Sequence, residues 1–113
     1  MVKDKNYIPE KGDVVWLSFS PTKGHEQKGR RPGLILSSKR FNQTNMAFIV
    51  PITSATRSYE TQISLQTNNI TGTILCDHIR SMDWTTRDIV YIDSVSTDIL
   101  SKVQDIIISL ILS

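Results

Sequence analysis

Short apolar runs alternate with polar breaks along most of the chain. Each break carries a turn residue. Residues 14–19 form a β-prone run between Gly12-Asp13 and Pro21. Residues 33–37 make a second, with Pro32 at its start, where a missing N–H is tolerated. Residues 46–53 make a third, and Pro51 within it predicts an edge strand or a bulge. Residues 60–65 alternate polar and apolar positions, the period of a half-buried strand. Residues 66–71 read as a polar loop, and 72–78 and 89–92 complete the strand set. Short strands separated by turn signals predict a small barrel or sandwich rather than βαβ units.

The period then changes. Ile99, Val103, Ile106, Ile107 and Leu110 recur at helical spacing, with Ser96 placed to cap and Asp98 to complement the helix dipole. One C-terminal helix over 97–112 follows. Leu100, Ile108 and Ile111 widen its apolar stripe. That width suits docking on the barrel, and equally suits packing of part of the face on a second subunit.

A chain of 113 residues, 39% hydrophobic and 21% charged, supports one small domain spanning 1–113. The longest apolar run, 106–112, is far too short to cross a bilayer. No apolar stretch follows the first six residues, so no secretion signal is expected. The single cysteine, Cys76, excludes an internal disulfide and fits a reducing cytoplasm. The net charge of +2 conceals an asymmetry: residues 1–60 hold ten Lys/Arg against five Asp/Glu, a net of +5, and residues 61–113 hold three against six, a net of −3. One electropositive face for a polyanion accounts for this as well as chance scatter does.

The richest chemistry lies in residues 20–33, read as a loop between two strands. Lys23, Lys28, Arg30 and Arg31 suit a phosphate, and His25 and Glu26 suit proton transfer. Two histidines 53 positions apart and one cysteine do not make a zinc site, and no glycine-rich phosphate loop precedes a helix. The nearest acidic pair, Asp77 and Asp83, falls short of a two-metal nuclease centre. A nuclease built from this set works without a metal or other cofactor. RNA permits that, because its 2′-hydroxyl is an internal nucleophile. The protein then supplies a base, an acid and donors for the phosphorane.

In order along the chain stand Gly12-Asp13-Val14-Val15-Trp16, Pro21-Thr22-Lys23-Gly24-His25-Glu26-Gln27, Gly29-Arg30-Arg31-Pro32, Phe41-Asn42-Gln43, Val50-Pro51-Ile52-Thr53-Ser54 and Cys76-Asp77-His78-Ile79-Arg80-Ser81. This series closely resembles the MazF/PemK (Kid) family of toxin endoribonucleases over nearly the whole length. The resemblance implies an SH3-like β-barrel with a C-terminal helix, of the PemK/CcdB-like toxin fold. It implies a homodimer with single-stranded RNA along the dimer groove, and a MazE-like antitoxin that fills this groove with an acidic segment disordered when free. The cut would yield 2′,3′-cyclic phosphate and 5′-hydroxyl ends.

The resemblance also implies roles. Arg31 matches the family arginine before the proline and stabilises the transition state through its fork of donors. Thr53 matches the family threonine and donates to the same phosphate. Glu26 is a candidate base or a salt bridge that shapes its loop. His25 acts as acid or base, or stacks on RNA. Asp77 matches a proposed base of the PemK/Kid branch, but Leu75 stands where that branch has an arginine. Lys23, Gln27, Lys28, Arg30, Arg57 and Arg80 are candidate RNA contacts. Asn42, Gln43, Ser54 and Ser81 suit base edges of unstacked RNA. His78 reads as structural or an RNA contact, and Trp16, Phe19 and Trp84 as core or interface aromatics. Two other classes stay open: a gyrase-type poison, since CcdB toxins share the fold, and a nucleic-acid-binding barrel without activity.

Overall fold

The computed structural model describes residues 6–19, 29–55 and 60–113. Among these, seven strands form: β1 (Asp13–Ser18), β2 (Arg30–Ile35), β3 (Met46–Thr53), β4 (Gln62–Gln66), β5 (Thr71–Leu75), β6 (Arg80–Asp83) and β7 (Val90–Ser94). Two helices accompany them, the single turn α1 (Lys39–Asn42) and α2 (Thr97–Leu112). The sheet runs β4-β5-β3-β2-β1-β7, with β6 also on β3, and every pairing is antiparallel. It curls into a half-barrel, the mainly β architecture with a C-terminal helix that the sequence predicts.

Strand β3 organises the curl. Its first half pairs with β6, from Met46↔Asp83 to Ile49↔Arg80, and its end pairs with β5, Ile52↔Ile74 and Thr53↔Thr73. Its middle pairs with β2 through Gly33↔Pro51. The strand is therefore central rather than the expected edge. Pro51 sits where β3 has left β6 and not yet met β5, a place where a residue without an N–H is tolerated.

Period-2 alternation divides the strand residues between two cores. Val14, Leu34, Leu36, Val50 and Ile52 join Val103 and Ile107 of α2 in one cluster. Residues at the alternate positions of the same strands, Val15, Leu17, Ile35, Ala47 and Ile49, join Phe19 and Met82 in the other. Apolar packing on both faces is why β1 and β3 read as nearly unbroken apolar runs. Each fully buried aliphatic side chain contributes about 1.5–3 kcal/mol. Gly33 packs against the second of these clusters: a Cβ there would stand 2.7 Å from Ile49 Cγ2 and 2.9 Å from the Phe19 ring.

Helix α2 has the predicted bounds. The Ser96 hydroxyl accepts the Ile99 N–H at 3.2 Å and Asp98 occupies the first turn. Val103 and Ile107 are buried, while Ile108, Leu110, Ile111 and Leu112 remain exposed. No helix among the described residues is long and apolar enough to cross a membrane.

Three features depart from the sequence reading. Strand β2 begins at Arg30, so Arg30 and Arg31 stand on a strand, opposite Ser18 and Leu17 of β1, and not in a loop. Strand β5 stops at Leu75 and residues 76–78 form one 3₁₀ turn. Strand β6 and helix α1 carry too few apolar positions to show a period, and their tertiary partners decide them.

Candidate active site

The start of β2, the end of β3 and the start of β5 line a groove of about 390 Å³. Its walls include Trp16, Arg30, Arg31, Thr53, Ser54 and Thr71. Register explains why Arg31 and Thr53 meet here. The antiparallel β2–β3 ladder pairs Gly33 with Pro51; Arg31 lies two residues before Gly33 and Thr53 two after Pro51, on the same side of that pair. Two positions 22 residues apart in sequence thus share one site, with Arg31 exposed and Thr53 half-buried. Among the described residues no carboxylate pairs with Arg31, which leaves its fork of donors for an anion. The Thr53 hydroxyl accepts the Ala55 N–H at 3.2 Å, which leaves its own proton to donate.

Glycine holds Thr53 in place. A Cβ on Gly72 would stand 2.7 Å from the Thr53 carbonyl oxygen and 2.8 Å from Ile52 Cγ2. Only a bare backbone lets β5 lie this close to the Thr53 end of β3.

Arg30 is engaged inside the protein. Its Nη1 lies 3.3 Å from Asp88 Oδ2, its Nη2 donates to the Asp88 carbonyl at 3.1 Å, and its guanidinium sits 5.8 Å from the centre of the Trp16 ring. Its side chain is only 10% exposed. Adjacent arginines therefore differ: Arg30 is held by the fold, while Arg31 faces solvent.

The remaining candidates distribute as follows. Ser54 lines the groove. Asp77 does not; it is exposed in the 3₁₀ turn, 3.8 Å from His78 Nε2, at the far end of β5 from Thr71. The four steps of strand from Thr71 to Leu75 separate the two ends by about 13 Å, so one chain does not bring Asp77 to Arg31. Gln43 and Ser81 are exposed outside the groove lining. Arg80 Nη1 donates to the Phe19 carbonyl at 3.1 Å.

Asn42 is a correction. It is fully buried: Nδ2 donates to the carbonyls of Pro9 and Ser37 at 2.8 and 3.0 Å, and Oδ1 accepts from the Ser37 hydroxyl at 2.5 Å. With every polar atom satisfied within the fold, it offers nothing to a base edge. Lys23, His25, Glu26, Gln27, Lys28 and Arg57 lie outside the described residues.

Sequence reasoning missed Trp16 and Thr71 as groove residues. Trp16 is the one half-buried member of the otherwise buried β1, and an aromatic that a buried strand leaves partly open was the available signal. Phe19 is core, and Trp84 donates its indole N–H to the Asn42 carbonyl at 2.8 Å, as expected of structural aromatics. No three His, Cys, Asp or Glu side chains among the described residues gather closely enough to hold a metal ion.

Residues 10–111 match the family described as the PemK-like, MazF-like toxin of type II toxin–antitoxin systems. The endoribonuclease toxin MazF of Escherichia coli K12 is 38% identical over 82 residues, which are 72% of this chain and 74% of that protein. A crystal structure of MazF from Deinococcus radiodurans superposes with a TM-score of 0.86 at 36% identity, covering 96% of this chain and all of that one. The same organism's MazE–MazF complex gives 0.82 at 32% identity, over 94% and 97% of the two chains. On a shared half-barrel, a shared C-terminal helix and a match along nearly its whole length, this chain belongs to the PemK-like, MazF-like toxin family of type II toxin–antitoxin systems.

Proposed function

We propose that this chain is an endoribonuclease toxin that cuts single-stranded RNA in the groove shared by Arg31 and Thr53. The observation that carries this reading is their convergence: a guanidinium with no carboxylate partner among the described residues and a hydroxyl donor meet in one open groove. The activity named for the Escherichia coli relative supports it.

In this account the 2′-hydroxyl attacks the adjacent phosphorus and the 5′-oxygen leaves. A 2′,3′-cyclic phosphate and a 5′-hydroxyl result. Arg31 donates two hydrogen bonds to the phosphorane oxygens, and Thr53 adds a third donor from across the groove. Arginine stays charged at every working pH, so Arg31 stabilises charge and transfers no proton. Glu26 and His25 take the proton-transfer roles between them, one as base toward the 2′-hydroxyl and one as acid toward the leaving oxygen. Ser54 and Thr71 offer hydrogen bonds to the flanking nucleotides. No step uses a metal. Asp77 enters no step within one chain.

The active form is a homodimer in the cytoplasm, and a MazE-like antitoxin silences it by laying an acidic segment over the basic groove. The relative solved as a MazE–MazF complex supports such a partner.

Steady-state cleavage of an unstructured RNA tests the reading. Arg31→Ala is expected to lower kcat at least 100-fold, the usual loss for one transition-state donor, with the melting temperature unchanged because Arg31 is exposed. Thr53→Val is expected to lower kcat about 10-fold or more. Wild-type rates in Arg31→Ala would refute the assignment.

A further inference from the structure

Residues 20–28 hold Lys23, His25, Glu26 and Lys28, the most chemically charged stretch of the sequence. Phe19 and Gly29 are the described residues on either side of this stretch. Those two flanking residues are bound to each other: the Phe19 N–H donates to the Gly29 carbonyl at 3.0 Å, and Gly29 takes a left-handed φ of +82°.

One short turn between β6 and β7 grips both flanks. Arg87 Nη1 donates to the Phe19 carbonyl at 2.9 Å and lies 3.3 Å from the Ser18 carbonyl, while the Arg87 carbonyl accepts the Ser18 N–H at 3.0 Å. The next residue, Asp88, holds the other flank through its ion pair and carbonyl bond with Arg30. Arg31, the groove cation, follows Arg30 directly.

The arrangement is costly for a mere tie. Arg80 reaches the same Phe19 carbonyl at 3.1 Å, so two like charges converge on one acceptor. Arg87 Nε is buried with no partner. Asp88 takes a left-handed φ of +52°, which a side chain disfavours. Unfavourable local features of this kind persist where the surroundings require one geometry, and they gather at functional sites.

We infer that Arg87 and Asp88 form a two-residue positioning clamp that fixes Phe19 and Arg30 relative to each other. The clamp thereby sets the aim of Arg31, the residue that follows Arg30 on β2. Neither residue lines the groove, so both act through the residues they hold. The inference rests on the ribonuclease reading.

The test uses the full-length protein with Arg87→Gln, Arg87→Lys and Asp88→Asn. Because a 1 Å misplacement of a catalytic group costs about 100-fold, Arg87→Gln is expected to lower kcat about 10- to 100-fold while KM changes less than about 2-fold. Arg87→Lys, which still donates to the same carbonyls, is expected to restore most of the rate. Asp88→Asn, a change at an exposed side chain, is expected to lower kcat in the same way with the melting temperature held. Amide exchange of Ser18 and Phe19 is expected to quicken in Arg87→Gln. In an Arg31→Ala background, Arg87→Gln is expected to cost little more, because a misaimed group that is already absent cannot be lost twice.

Full additivity in that background, or wild-type kcat in both Arg87→Gln and Asp88→Asn, would overturn the clamp and leave the ribonuclease reading standing. Wild-type protein that cuts no RNA would overturn the ribonuclease reading, and the clamp's catalytic role with it.

Discussion

Arg30 and Arg31 carry the same side chain one position apart and have opposite fates. Arg30 is packed on Trp16 and paired with Asp88; Arg31 opens on the groove. Sequence cannot separate them, because the partners that capture Arg30 come from 14 residues before it and 58 after. Asn42 teaches the same lesson. A short amide next to Phe41 and Gln43 looks like a base reader, yet its three hydrogen bonds join Pro9, Ser37 and helix α1. Asn42→Ala strands buried carbonyls and is expected to cost on the order of 3 kcal/mol, lowering the melting temperature by about 10 °C or more. Calorimetry checks the stability. RNA affinity of the folded protein should be unchanged, and a selective loss of affinity would restore Asn42 as a contact.

Cys76 supplies a pH signature at the same scale. Burial, aided by the Asp77 charge, raises its thiol from the ordinary 9.0 to about 11. The unfolded chain loses this proton near pH 9, while the folded chain keeps it until about 11. Stability is therefore complete below pH 9 and falls by about 1.4 kcal/mol per pH unit between 9 and 11. Urea unfolding at pH 8 and pH 11 checks this, with Cys76→Ala as control. The wild type should lose on the order of 2–3 kcal/mol more than the control over that interval.

Among the elements, those with a strong period were legible. Helix α2 and strand β3 have their expected bounds because apolar spacing alone defines them. Strand β6, with Met82 as its only buried residue, is held by pairing with β3 and gives no alternating signal. The start of β2 was hidden by Pro32 and two arginines, whose strand character comes from β1 opposite them. The close approach of β5 to β3 depends on one residue. Gly72→Ala places a methyl 2.7 Å from the Thr53 carbonyl and forces the strands apart. A cost of about 1–3 kcal/mol is expected, together with a fall in cleavage rate, since Thr53 moves with its carbonyl. Denaturant unfolding and kinetics on the same sample check the pair of effects. Lost stability with undiminished kcat would show that Thr53 position does not matter to catalysis.

For the whole molecule, the charge split between halves of the sequence becomes meaningful through topology. Strands β2 and β3 carry Arg31 and Thr53 from the basic first half, and Thr71 of the acidic second half closes the groove beside them. The motif blocks revealed the family and named two residues, Arg31 and Thr53, that the fold brings to one groove. Trp16, Thr71 and the Arg87–Asp88 turn were out of reach, because only the curl of the sheet brings those segments to one place. In the proposed mechanism this groove cuts RNA through the 2′-hydroxyl with Arg31 as its cation. The most direct test incubates wild type and Arg31→Ala with a long unstructured RNA in EDTA and maps the chemistry of the new ends. Discrete cuts bearing 2′,3′-cyclic phosphate and 5′-hydroxyl ends, present with wild type and lost with Arg31→Ala, are predicted. Intact RNA with folded wild type, or ends bearing 5′-phosphate, would contradict it.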